Sequence, residues 1–180
     1  DETGYAVAKM LNGYIYVPAA GGLSGGYSEQ TLTALAEIAK EHRVNAIITE
    51  SNFGDGLFNE VLKPILNKIY PVTIEEVRHS TQKEKRIIDT LEPVMAGHRL
   101  VIDPDVVKDD YETIQKYPHE SQLKYSLFYQ MSRLTRERGA ITHDDRLDAL
   151  AIAVNYWTEQ MAQDAELKMR ERREDLLNVE

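Results

Sequence analysis

Tyr5-Ala6-Val7-Ala8-Lys9-Met10-Leu11, then Asn12-Gly13, then Tyr14-Ile15-Tyr16-Val17-Pro18-Ala19, is the stretch that decides the fold class. Two strand-like runs separated by two residues predict a hairpin, because Asn-Gly accepts the positive φ that a tight turn demands. A hairpin is antiparallel. Further along, Ala46-Ile47-Ile48-Thr49, Val72 to Val77 and Leu100-Val101-Ile102 alternate with helical patterns. Strands arranged in that way need crossover connections, so the expected fold is α/β, a mixed β-sheet flanked by helices. The unbroken apolar character of Ala46 to Thr49 predicts a buried central strand ending on Glu50.

The helical patterns are explicit. Ser28 reads as the N-cap of a helix carrying Leu32, Leu35, Ala36 and Ala39 on one face. Phe58, Val61, Leu62, Ile65 and Ile69 form a second stripe, in which Pro64 implies a kink or a late start. Thr81-Gln82-Lys83-Glu84 has capping-box spacing and opens a third helix, stopped at Gly97. Residues 103–121 read as a polar surface excursion with one helical turn, and Gln122 to Arg138 as one helix. Thr142-His143-Asp144-Asp145 opens the last, whose apolar face is Leu147, Leu150, Ala151, Val154 and Trp157. From Glu159 onward seven acids stand against four bases. The expected organisation is one domain over 1–160 and a charged C-terminal helix or tail over 161–180.

Composition narrows the function classes. The 180 residues contain no cysteine, which excludes a disulfide framework, a thiolate zinc site and a cysteine nucleophile, and fits a reducing interior. A net charge of −9 argues against a wholly basic nucleic-acid coat, but leaves local basic strips or acid-held metal ions as routes to nucleic acid. No apolar run approaches the ~18 residues of a membrane span. The loop Gly21 to Gly26 lacks the Lys of a phosphate loop, so nucleotide hydrolysis is not expected of this chain. There is no Gly-x-Ser-x-Gly elbow either. The chain opens at Asp1 without Met and runs almost at once into a strand, which predicts a fragment of something longer.

Three groups of residues carry candidate chemistry. Glu50 is either an exposed acid opening a loop or an acid facing the crevice where α/β folds bind ligands. The glycine-rich Ser51-Asn52-Phe53-Gly54-Asp55-Gly56 after it suits a close backbone approach to a ligand. Asp144, Asp145 and Asp148 crowd one edge of a helix start. They either complement the helix dipole, worth ~0.3–1 kcal/mol, or repel one another until a cation intervenes. Oxygen donors without cysteine indicate Mg²⁺ or Mn²⁺, and acids from a strand and a distant helix suit two-metal phosphodiester hydrolysis. His143 is either a cap-region residue or a proton shuttle or outer ligand. Third, residues 78–86 hold Arg78, Lys83, Lys85 and Arg86 against Glu84 alone. Bases at a helix start oppose its dipole, and phosphates would explain them. Residues 124–138 form a second basic strip, explained equally well by a helix C-terminus.

Taken together, Tyr5 to Ala19, Ile48 to Gly56, Thr90-Leu91-Glu92-Pro93-Val94-Met95, Lys124 to Met131 and His143-Asp144-Asp145-Arg146-Leu147-Asp148-Ala149-Leu150-Ala151 resemble the large terminase subunit of short-tailed, double-stranded DNA phages. The resemblance covers nearly the whole chain, thinning over 103–121 and after 160. It implies the carboxy-terminal nuclease domain of a viral genome packaging motor, ribonuclease H-like, cutting concatemeric duplex DNA with Mg²⁺ or Mn²⁺, two ions expected. It also implies Glu50, Asp145 and Asp144 as catalytic ligands and Asp1 as a supporting ligand. The family's principal first acid lies on an opening strand that this sequence lacks, and the packaging ATPase lies further upstream in the same full-length chain. Lys83, Arg86 and Arg78 are the expected DNA contacts. Small terminase subunit and procapsid portal are implied partners, in the host cytoplasm at the portal, with no membrane. Two alternatives stay open: a junction-resolvase or integrase-like nuclease of the same fold, and a non-catalytic fragment that docks on the portal.

Overall fold

The computed structural model describes residues 1–51 and 56–177. Most of the glycine-rich loop after Glu50 (52–55) lies outside the described residues. β1 (Thr3–Leu11) and β2 (Tyr14–Leu23) pair antiparallel across Asn12-Gly13, whose φ angles of 53° and 79° are those the turn demands. β2 continues four residues past Ala19, through Gly21 and Gly22, which the sequence assigns to a loop. Side-chain space explains this: a Cβ on Gly22 would collide with the buried Glu2 carboxylate. β5 (Leu100–Ile102) joins the other edge of β2 in parallel, so the sheet is mixed, in the order β1-β2-β5.

One face of this sheet is covered by α3 (Lys83–Ala96), α4 (Pro104–Thr113), α6 (Leu127–Arg133) and α7 (Asp145–Leu177). Ile15, Val17, Leu91, Leu127, Leu150 and Val154 form its core, each with under 5% of its surface exposed. A second cluster joins α1 (Glu29–Glu41) to α2 (Leu57–Ile69) through Leu32, Ala36, Leu62 and Leu66. It backs the parallel pair β3 (Ala46–Glu50) and β4 (Thr73–Val77), whose Ile47 and Ile74 pack against it.

Between the two sheets lies a cavity of about 650 Å³. Every residue from Glu2 to Met10 and from Val44 to Glu50 lines it. Successive side chains of a strand point to opposite faces, so an unbroken run of lining residues means that backbone edges face the cavity. β1 and β3 thus present open edges to one slot, floored by α7 and α1. The Thr49 hydroxyl is buried there without a hydrogen-bond partner. This corrects the expected placement of β3: its residues are only half-buried, because one edge and part of each face border the slot.

Two further differences have local causes. Asp103 caps α4 by accepting from the Asp105 N–H at 2.8 Å, and Pro104 sits at the first helical position, so a ten-residue helix replaces the single predicted turn. The predicted helix Gln122 to Arg138 is two, α5 (Gln122–Tyr125) and α6, because Ser126 is extended and caps α6 through the Tyr129 N–H. α7 runs unbroken through residue 160 to Leu177, exposed from 162 onward. Among the described residues no helix is long and apolar enough to cross a membrane.

Candidate active site

α7 starts against the beginning of β1. Gly4 makes this approach feasible, since a Cβ there would overlap the Asp145 carbonyl. The helix start is well satisfied: the Asp144 carbonyl accepts from the Asp148 N–H at 2.8 Å, and the Leu147 N–H donates to Gln130 Oε1 at 3.1 Å. The Glu2 N–H donates to Asp145 Oδ2 at 3.2 Å, joining the chain's first residues to the helix.

Beneath this junction lies a wholly buried Arg146, which sequence reasoning passed over. Its guanidinium donates to both Glu2 oxygens, at 2.8 and 2.9 Å, and to Asp110 Oδ1 at 2.9 Å. Asp110 also accepts from Ser126 Oγ and the Leu127 N–H, and Lys116 Nζ lies 3.5 Å from Glu2. Two carboxylates are thus matched by two cations and by neutral donors, the condition under which buried charge is tolerated. Burial alone would raise the Glu2 carboxyl, but hydrogen bonds from Arg146 and Tyr117, with the charges of Arg146 and Lys116, hold it below the ordinary value. Gly22 was the one available sequence signal, a strand glycine where a buried side chain needs room.

Above the ion pair, Asp1, His143 and Asp145 each place a ligand atom within 4.8 Å of the others. Burial raises the Asp145 carboxyl above the ordinary aspartate value; the Glu2 N–H opposes this, and the charge of Asp144 adds to it. A cation between these groups would reverse that cost. Such a donor set, carboxylate oxygens with one imidazole and no thiolate, fits Mg²⁺ or Mn²⁺.

Glu50 and the other two aspartates form a second group, joined to the first through the same cavity, which Glu50, Asp145 and Asp148 all line. Cations bridge them. Lys83 Nζ lies 3.2 Å from Asp144 and 3.4 Å from Asp148, while Arg86 Nη2 lies 2.8 Å from Asp148 and 3.7 Å from Glu50. Burial opposes charge on Lys83, but Asp148 and Asp144 outweigh it and raise its ammonium above the ordinary range. Lys83 and Arg86 at the start of α3 are therefore answered by carboxylates of this chain. Sequence reasoning sought phosphates there because the partners are about sixty residues away. His79, also missed, places Nδ1 3.0 Å from Glu50 Oε1. Arg78 stays exposed, its Nε 3.4 Å from Ser51 Oγ beside the end of β3.

Of the predicted ligands, then, the fold brings Asp1 and Asp145 together, and sets Glu50 on the same cavity behind an arginine bridge. Asp144 is turned to Lys83. A mixed sheet flanked by helices, with acids from a strand end and a helix start facing one cavity, defines a ribonuclease H-like domain. Residues 1–100 match the family described as "Terminase Bacteriophage T7, Ribonuclease H-like domain", and the chain belongs to it. Over 165 residues, 92% of this chain, it is 50% identical to the "Terminase, large subunit" of Enterobacteria phage T3. The chain spans 28% of that relative's length.

Proposed function

We propose that this chain is the metal-dependent endonuclease domain of a terminase large subunit, cutting concatemeric duplex DNA during viral genome packaging. The observation that carries this reading is the shared cavity: Glu50 from β3 and Asp145 and Asp148 from α7 line it although they are distant in sequence, and Asp145 groups with Asp1 and His143. Asp145, Asp1 and Glu50 would hold the ions, with Asp144 next to them. Ions bound there would activate a water molecule and stabilise the leaving oxygen. The chain's own contribution is to orient Asp145 through the Glu2 N–H, to keep the carboxylates charged with Lys83 and Arg86, and to offer the exposed Arg78 as a cation toward the DNA backbone.

The open slot bears on the same reading. In the full-length subunit a strand preceding Asp1 would pair with both β1 and β3, joining the two sheets and bringing the family's first-strand acid to the cavity. Free edges facing each other are unstable to pairing, and this occupant satisfies both at once. The ATPase domain of the same chain, the small subunit and the portal are the partners, and the host cytoplasm at the portal is the setting. The exposed end of α7, with Leu167, Met169 and Leu176 in solvent, is the surface for portal docking.

The experiment is nicking of supercoiled plasmid by the full-length subunit with Mn²⁺. Glu50→Ala and Asp145→Ala each abolish it if the reading holds. Wild-type rates in both variants refute it. Faster cutting of branched than of linear DNA would move the chain toward a resolvase.

A further inference from the structure

We propose that His143 is a direct nitrogen ligand of the metal centre, and that it tilts the site toward Mn²⁺ over Mg²⁺. The inference rests on the metal-dependent reading above and deepens it. Asp145 and Asp1 supply only hard oxygen donors, whereas an imidazole adds a borderline one. Mg²⁺ keeps oxygen and water ligands, while Mn²⁺ accepts imidazole more readily.

Three observations converge on this histidine. Its Nδ1 is buried without a hydrogen-bond partner, the only imidazole nitrogen in that condition among the described residues. That atom lies 3.7 Å from Asp1 Oδ1, too far for a hydrogen bond. At bond lengths of about 2.1 Å, two ligands on one octahedral ion stand about 3.0 Å apart when adjacent and about 4.2 Å when opposite. The 3.7 Å gap lies between those two spacings, in a group whose ligand atoms on Asp1, His143 and Asp145 are all within 4.8 Å of one another.

The ring is also held in place from behind. His143 stacks on Tyr125 with centroids 4.2 Å apart, and Tyr125 stacks on Tyr117 at 3.7 Å. The Tyr117 hydroxyl donates to Glu2 Oε1 at 2.6 Å, and Glu2 is gripped by Arg146. A column of three rings therefore runs from the buried ion pair to the imidazole and fixes its plane. A histidine that merely capped the helix would direct a nitrogen at a backbone group. This one places Nδ1 3.7 Å from the Asp1 carboxylate, within the group that it forms with Asp145.

The test uses the full-length subunit loaded with Mn²⁺ and pulsed electron paramagnetic resonance, which detects ¹⁴N bonded to the ion, together with calorimetric titration of Mn²⁺ and Mg²⁺. Wild-type protein shows a nitrogen coupling. His143→Gln loses it and binds Mn²⁺ at least tenfold more weakly, with Mg²⁺ affinity changed less than threefold. His143→Asp keeps the ion on an oxygen ligand and shows no nitrogen coupling. That variant controls for loss of folding. His79→Gln retains the coupling. Saturable Mn²⁺ binding with no nitrogen coupling in the wild type overturns the assignment of His143 and leaves the metal site standing. A coupling that survives His143→Gln and vanishes in His79→Gln also overturns it. No saturable Mn²⁺ binding at all overturns both this inference and the reading beneath it.

Discussion

Arg146 grips Glu2 with two parallel hydrogen bonds, 2.8 and 2.9 Å long, and neither side chain reaches solvent. The two residues are 144 positions apart, and the pair ties the chain's first residues to the start of α7 directly below Asp145. Stability and site geometry share this joint.

Arg146→Met leaves Glu2 and Asp110 buried without their arginine, Glu2 keeping only Lys116 and Tyr117 and Asp110 only Ser126 and the Leu127 N–H. Breaking one partner from a buried pair costs about 3–5 kcal/mol. Hydrogen exchange across 145–160 in the full-length subunit should show that loss. A change under about 1 kcal/mol would mean that the buried network is not holding α7.

Acid should weaken the same joint. Glu2 is held below its ordinary value, so in the acid range the folded state binds fewer protons than the unfolded state. Its contribution is complete above the unfolded value of about 4.3 and is lost as pH falls through the lower folded value. Stability measured from pH 7 down to pH 3 should fall most steeply below about pH 4.3. Glu2→Gln, less stable at neutral pH, should lose less on acidification. Parallel curves for the two proteins would contradict the assignment.

Lys83 holds Asp144 and Asp148 and so sets a positive charge beside the proposed ion site. Removing its charge in Lys83→Met should tighten Mn²⁺ binding about three- to tenfold, roughly 0.6–1.4 kcal/mol. Its stability loss should be small, about 1 kcal/mol or less, because the side chain is 42% exposed. Arg86→Met should cost more, since Arg86 and Asp148 are both nearly buried. Calorimetry and hydrogen exchange separate the two effects; weaker Mn²⁺ binding in Lys83→Met would reverse the role given to the lysine.

Gly4→Ala tests the approach of β1 to α7. The added methyl would overlap the Asp145 carbonyl, and backbone has no rotamer by which to yield. Overpacking of this kind costs about 1–3 kcal/mol, and here it also displaces a ligand. The variant should lose both stability and Mn²⁺ affinity. Gly13→Ala, whose Cβ meets nothing, should leave the affinity unchanged.

Local patterns carried the reading of this sequence as far as local physics reaches. Asn12-Gly13 specified the hairpin because two positive φ angles leave few alternatives, and Ser28 capped its helix as expected through the Thr31 N–H. Glu50 and Asp145 stood out because each ends or begins an element whose burial pattern is clear. What stayed hidden depends on pairing between distant segments. Arg146 looked like one residue of an acidic run, since nothing near it in sequence names Glu2 or Asp110. Lys83 and Arg86 looked like phosphate contacts until α7 brought its carboxylates across to α3. His79 gave no signal at all, because only the parallel register of β3 and β4 sets it beside Glu50.

The central claim is that separate acids of this chain make one metal centre. Soaking crystals of the full-length subunit in Mn²⁺ and mapping its anomalous scattering tests it most directly. The account predicts a peak about 2.1–2.3 Å from an Asp145 carboxylate oxygen, facing the cavity that Glu50 lines. Ordered, well-defined carboxylates with no anomalous peak within that cavity, at Mn²⁺ concentrations that support DNA cutting, would contradict it.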